Sequence, residues 1–443
     1  MVTSIQSRRV LLDGKLLPAR VSWKDGRISQ IESPSDRDES VMDVGESIIF
    51  PGLVDAHVHL NEPGRTDWEG FATGTRAAAA GGFTTLVDMP LNCSPVTTTT
   101  EALTAKLDAG RPQLSVDVGC YGGLVGQDTP TLNALASAGI LGAKAFTIHS
   151  GLDEFPNVSM AQLADAMKAL KPFGIPVLVH AEVEVESDAG SQSDPRSYHA
   201  YLASRPDAME TEAIRQIIDL VREIGARTHI VHLSSAEALP MIDQAKKEGL
   251  PLTVETCPHY LCLEAERIDD GNTLAKCAPP IRHRDNRNAL WEAVQSGLID
   301  FVTSDHSPCV PALKGLDHGH FEEAWGGISS LQLGLPLVWT EWQARGGSAE
   351  ILGHWFAKAP AAWLGLEKKG ELKIGMDADL CVWDPDATFN VNKESFYVKH
   401  PVSPYLGKTL KGQVQTTILR GHEVFSQSTG PAKNLRGQFI LRT

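Results

Sequence analysis

Between residues 53 and 308 the chain repeats one pattern: a short β-branched, apolar run followed by a stretch with helical spacing. The eight runs fall at 53–60, 84–89, 116–121, 143–148, 177–182, 228–233, 252–257 and 301–305. Runs of this length read as buried strands, and strands alternating with amphipathic helices fold as parallel βα units. The first connection opens with a capping-box pattern, Thr66-Asp67-Trp68-Glu69, and closes at Gly81-Gly82. Ser159 with Gln162 opens another that ends near Gly174, and 207–224, 235–248 and 284–296 read as further amphipathic helices. The order predicts an α/β fold, a (β/α)8 TIM barrel whose functional groups lie at the C-terminal strand ends. A doubly wound open sheet is the alternative, but no GxGxxG follows the first run.

The two ends have a different texture. Residues 1–50 read as all-β, with Asp13-Gly14 and Asp25-Gly26 as hairpin turns between alternating segments. Short β pieces return from residue 370: Asp379 to Trp383, Val414 to Leu419, and Glu423 to Phe425. Neither end has enough apolar residues to stand alone. We therefore expect 1–50 and 370–443 to combine as one small β-sandwich flanking a barrel domain of 51–369.

Composition narrows the partners. A net charge of −15 argues against nucleic acid and anionic membrane surfaces, which both call for basic protein. No apolar stretch reaches the roughly 20 residues of a membrane span. Met1 to Arg9 has charge without an apolar run behind it, so no signal peptide is expected. Leu441-Arg442-Thr443 is not the SKL peroxisomal address, which leaves the cytoplasm as the expected compartment. The seven cysteines form no CxxC pair and read as reduced thiols.

Several strand ends carry groups that bind metal. In Asp55-Ala56-His57-Val58-His59 the two imidazoles are two residues apart, so they share one strand face and can grip one ion together. Lys144, His180, His232 and Asp305 stand in or at the ends of later strands, and together the set reads as a two-metal hydrolase site. Lys144 is the least obvious member. In the apolar Ala143-Lys144-Ala145-Phe146 run a bare ammonium is costly unless paired or neutralised. A desolvated amine loses its proton more readily and can add CO₂, giving a carbamate able to bridge two cations. A lysine whose head reaches solvent fits the same spacing, and the residues alone leave both readings open. Asp55 reads as a support or a barrel-layer residue and Asp88 as a support or a loop-shaping residue, while His199, His229, His259, His306 and His400 fall outside the ligand set.

The chain resembles the cyclic amidohydrolases of the amidohydrolase superfamily, and among them the allantoinases. The resemblance rests on PGLVDAHVHLNEPGRTDWEGF (Pro51 to Phe71), VDMPLN (Val87 to Asn92), SGLDEF (Ser150 to Phe155) and ETCPHY (Glu255 to Tyr260). It continues through KCAPPIR (Lys276 to Arg282), SDHSP (Ser304 to Pro308), WGGIS (Trp325 to Ser329) and Ser403-Pro404-Tyr405. It implies that His57, His59 and Asp305 hold one divalent cation and that His180 and His232 hold the other. Lys144, as N6-carboxylysine, would bridge them. Zn²⁺ suits these ligands, and Co²⁺, Mn²⁺ or Fe²⁺ fit the same set. The resemblance also implies that Asp305 takes a proton from the attacking water and delivers it to the leaving ring nitrogen. The implied reaction opens the hydantoin ring of allantoin to give allantoate in purine degradation. The implied assembly is a homo-oligomer, in this family often a tetramer.

Substrate choice rests on fewer residues. Dihydroorotases typically place an Arg two residues after the second His, and this chain has the neutral Asn61, which suits an uncharged ureido or amide group. Ala278 aligns with a residue whose backbone contacts substrate in the hydantoinase and dihydropyrimidinase branch. His149 stands where that branch has an oxyanion-donating Tyr. Asn61, Ala278 and His149 are the expected substrate-binding residues. The alternatives are a hydantoinase or dihydropyrimidinase, and a catalytically inactive structural paralogue. The paralogues have lost metal ligands, whereas all six are present here.

Overall fold

The protein is described from a computed structural model over residues 3–35, 41–186 and 194–442. Met1 and Thr443, which enter the readings of the two ends, lie outside the described residues. The apolar runs form strands β1 (Leu53–Val58), β2 (Phe83–Asp88), β3 (Asp117–Cys120) and β4 (Ala143–Phe146). They continue as β5 (Val177–His180), β6 (Thr228–Ile230), β7 (Leu252–Thr256) and β8 (Phe301–Val302). Each pairs in parallel with its neighbour from β1 to β3 and from β4 to β8. The two-residue strand Gly122–Gly123, just after β3, pairs in parallel with β4 and so connects the two groups. At the other edge Val58 bridges His306 in parallel, and the His59 N–H donates to the His306 carbonyl at 2.8 Å. Parallel strands are buried on both faces, which explains continuous apolar runs in place of alternation.

The helices at Asp207–Ile224 and Arg284–Ser296 start and stop as their spacing predicts. Both end in a glycine with positive φ, Gly225 and Gly297. The Ser159–Gln162 capping box forms, with both of its hydrogen bonds present. The 235–248 segment divides into a 3-10 turn, Ala236–Ala238, and an α-helix, Leu239–Lys247. Pro240 accounts for this, since proline is accommodated in a helix's first turn but not in its interior. The expected Thr66–Glu69 capping box is absent. The first helix begins at Phe71, whose N–H donates to the Glu62 carboxylate at 2.8 Å. Glu69 is buried instead against the Lys399 N–H at 3.1 Å and His306 Nε2 at 3.3 Å, and that demand outweighs the local cap.

The two chain ends share one nine-stranded sheet. Leu380–Asn390 pairs antiparallel with Ile48–Pro51, which itself lies parallel to Ser4–Leu12. Both expected hairpin turns form, with Asp13 and Asp25 at positive φ. Ile5, Val21, Ile28, Ile49, Leu380 and Val382 make a core of their own between these segments. In the tail, Phe439–Ile440 lies outside this sheet and pairs in parallel with β3. Gly82 marks how closely the layers approach: at φ +87°, an added Cβ would lie 2.5 Å from Cys381 Sγ.

An ion cluster joins the same layers. Lys369 Nζ lies 2.6 Å from Asp379 and 2.9 Å from Asp117 at the start of β3. Arg420 pairs with Asp117 as well, and Asp117 accepts the Gln438 N–H of the tail at 3.0 Å. Removing one partner from such a cluster strands buried charge. Lys369→Met should therefore lower unfolding stability by about 3–5 kcal/mol in chemical denaturation, and a loss below about 1 kcal/mol would show that the cluster does not join the layers.

Candidate metal centre

The strand ends bring four imidazoles and a carboxylate together. His57 closes β1, with His59 one residue beyond Val58, and their ring centroids lie 5.6 Å apart. His57 Nε2 stands 3.3 Å and His59 Nε2 3.5 Å from the same oxygen of Asp305. On the opposite side His180 Nδ1 and His232 Nε2 approach to 3.0 Å. The two groups are contiguous, with His57 and His232 ring centroids 5.5 Å apart. Ring nitrogens this close share one proton or one cation, which is the behaviour of a metal-ligand pair.

Second interactions set which nitrogen faces inward. His57 Nδ1 lies 2.5 Å from Glu255 Oε1, which leaves Nε2 for Asp305. His180 Nε2 lies 2.7 Å from Glu182, which leaves Nδ1 for His232. Carboxylates behind ligand histidines fix tautomer and ring orientation in metal sites. Burial lowers the pKa of His180 to about 4 and holds His59 and His232 well below the usual imidazole range. All three are thus neutral at physiological pH, the state that ligation needs. Burial pushes Glu182 up, but the His180 hydrogen bond and the Arg205 charge outweigh it and bring its pKa to about 2.

Lys144 lines the same cavity as these residues. It is 1% exposed, and its Nζ has no hydrogen-bond partner among the described residues. Burial lowers its pKa to about 7 despite the opposing charges of Asp305 and Glu255. The donor set therefore fits divalent cations: neutral nitrogens converge from two sides, a carboxylate stands among them, and the one amine is poised to be uncharged. Asp305 itself is pushed upward by burial, against the pull of His57 and Lys144.

Four residues at or beside the centre have left-handed backbones: Asn61 (φ 63°), Asn92 (φ 67°), His232 (φ 41°) and Asp305 (φ 40°). These residue types tolerate that region better than most, and holding them there aims the side chains. Asp55 helps to hold β1 and β8 together, accepting N–H bonds from His57 at 3.1 Å and Ser304 at 3.2 Å. Asp88 accepts the Leu60 N–H at 2.7 Å and pairs with Lys106 at 2.5 Å.

A cavity of about 880 Å³ opens over the centre, lined by the six candidate ligands together with Ala278 and His149. His149 Nδ1 accepts the Gly151 N–H at 3.1 Å. Asn61 is not among the lining residues. It is buried, and its amide donates to the Pro308 carbonyl at 3.1 Å, while Asn92 lines the cavity. Arg205 and Tyr201 form further wall that no motif singled out, beside Lys276 of the KCAPPIR stretch. Glu182 and Glu255 were also missed. Glu182 stands two residues after His180, and Glu255 opens the ETCPHY stretch, so periodicity alone could have nominated both.

Residues 48–424 match the Amidohydrolase family. The chain belongs to this family. It is 44% identical to an allantoinase from Arabidopsis thaliana, with 96% of this chain and 88% of that protein covered. It is 45% identical to an allantoinase from Streptomyces avermitilis over 99% of this chain and 98% of the relative. Among solved structures, an L-hydantoinase (dihydropyrimidinase) from Arthrobacter aurescens superposes with a TM-score of 0.93 at 29% identity, covering 99% and 100% of the two chains. As amidohydrolase structures these neighbours support an α/β architecture with a β domain, and the His57, His59 and Asp305 group supports a divalent metal site.

His306, adjacent to Asp305, tests how the centre selects its ligands. Its Nδ1 accepts the Ser330 N–H at 3.2 Å and its Nε2 faces Glu69, so both nitrogens are engaged outside the centre. His306→Asn should leave bound metal per chain unchanged while lowering stability by about 1–3 kcal/mol for the unsatisfied partners. Loss of metal in that variant would place His306 among the ligands.

Proposed function

We propose that this chain is a two-metal hydrolase that opens the hydantoin ring of allantoin at an amide bond, giving allantoate. The observation that carries the chemistry is the convergence of His57, His59 and Asp305 with His180 and His232 around buried Lys144. Near full-length similarity to allantoinases supports the substrate. The parallel strands are read as a closed (β/α)8 barrel over 51–369, a reading supported by the Val58–His306 bridge. The end segments 1–50 and 370–443 are read as the flanking β-sandwich.

His57, His59 and Asp305 would hold one cation and His180 and His232 the other, with Zn²⁺ the best fit and Co²⁺, Mn²⁺ or Fe²⁺ compatible. Divalent cations bound there lower the pKa of water and polarise a carbonyl. The Lys144 amine would add to CO₂, forming one N–C bond as one C=O π bond opens and releasing one proton, and the resulting carbamate, with one negative charge shared by two oxygens, would be a further ligand for the cations. Its lowered pKa supports this step, since only the free amine reacts. Asp305 accepts a proton from the attacking water and returns it to the ring nitrogen as the C–N bond breaks. Ala278 and His149 line the cavity where the ring would sit, and the buried Asn61 acts through the loop it holds.

Ring opening measured side by side on allantoin, hydantoin, dihydrouracil and dihydroorotate tests the substrate. We expect a clear preference for allantoin. Preference for hydantoin or dihydrouracil would instead favour the hydantoinase or dihydropyrimidinase reading, which the 0.93 TM-score makes the second choice. Lys144→Ala should lose paired metal binding and recover part of its activity with an added short-chain carboxylic acid. Full activity without the acid would sink the carbamate. Asp305→Asn should lower turnover by about 10²–10⁴-fold, the worth of positioned proton transfer, and a near-normal rate would move that role elsewhere.

The same account has a pH signature. At a fixed concentration of dissolved CO₂, activation of metal-free protein by zinc should accelerate with rising pH and level off above about 7, as Lys144 loses its proton. A rate that does not change across that range would contradict it.

A further inference from the structure

Three buried carboxylates near the centre each carry their own cation: Asp88 with Lys106 at 2.5 Å, Glu182 with Arg205 at 2.5 Å, and Glu210 with Arg282 at 3.0 Å. Glu255 differs. It is fully buried on β7, and its ion-pair partners among the described residues are the imidazoles of His57 at 2.5 Å and His229 at 3.2 Å. A buried carboxylate with no Lys or Arg ion-pair partner among the described residues draws its compensation from the imidazoles beside it. Glu255 also reaches both halves of the centre. Its Oε1 takes the His57 ring and lies 3.4 Å from the His232 backbone N–H, at a residue whose φ is 41°. His229 stays on the far side, with Nδ1 on Thr253 Oγ1 at 2.8 Å and its ring stacked on Phe301 at 5.1 Å.

We propose that Glu255 is a positioning residue for the centre, holding His57 with its proton on Nδ1 and linking the β1 ligands to His232, and thereby setting the affinity for divalent cations. This rests on the two-metal reading above. The negative charge of Glu255 strengthens His57 Nε2 as a donor, because a carboxylate behind an imidazole raises its basicity. A cation reached through that ring in turn balances the carboxylate. The sequence offers two separations of these effects. Glu255→Gln keeps the shape and a weaker acceptor but removes the charge, and Glu255→Asp keeps the charge but withdraws it by one methylene.

Zinc binding by the metal-free full-length chain, measured in competition with a chromophoric chelator, reads the effect directly. Thermal unfolding of the same metal-free proteins runs alongside. We expect both variants to bind zinc about 10–100-fold more weakly than the wild type, with little change in unfolding temperature. If Glu255→Gln does not fold, the Glu255→Asp result decides alone. Zinc affinities within about threefold of wild type in the folded variants, whatever their unfolding temperatures, would mark Glu255 as a core residue only and overturn the proposal. A wild-type chain that takes up no zinc would overturn it together with the two-metal reading, so the two failures are told apart.

Discussion

The structure turns on burying an amine without a hydrogen-bond partner among the described residues. Lys144 is enclosed in β4 between Ala143 and Ala145, with its Nζ over the Phe146 ring. An ammonium in such a place is expensive, so burial lowers its pKa to about 7 and favours the free amine. The nearby groups are arranged around that amine. Imidazoles converge from β1 on one side and from β5 and β6 on the other, and Asp305 stands just beyond β8. Only parallel strands with their C-terminal ends at one level can deliver residues so distant in the chain to one spot.

Holding that spot takes support from outside it. Asp305 and His232 sit in left-handed conformations that few residues adopt, so the surrounding bonds must over-determine them. Asp55 accepts N–H groups from both His57 and Ser304, and Glu255 reaches from His57 to His232. At the start of β3 the Lys369–Asp117–Asp379 cluster joins the end segments to the parallel strands. The layers that look separate in sequence therefore share buried charges.

Much of this was legible before any coordinates. Strand and helix positions followed from hydrophobic periodicity, and the 207–224 and 284–296 helices match to the residue. The six candidate ligands surfaced because residue types that can bind metal stand in or just beyond five of the eight strands. What was not legible depends on contacts between distant segments. Glu69 reads locally as a capping residue, but its partners are 237 and 330 positions away. Asn61 is expected to meet substrate because it stands where dihydroorotases place an Arg, and its amide donates to the Pro308 carbonyl 247 positions away, a contact that no local pattern announces. Glu182 and Glu255 share a strand face with neighbouring site residues, but their partners His180 and His57 are set by the fold, since orienting a neighbour requires only a carboxylate in the right place.

The most direct test of the account is a crystal structure of the zinc-loaded protein with anomalous diffraction collected at the zinc edge. The account predicts one anomalous peak among His57, His59 and Asp305, a second between His180 and His232, and planar density extending from Lys144 Nζ to both. An unmodified Lys144 beside a single peak, or peaks placed away from these residues, would contradict it.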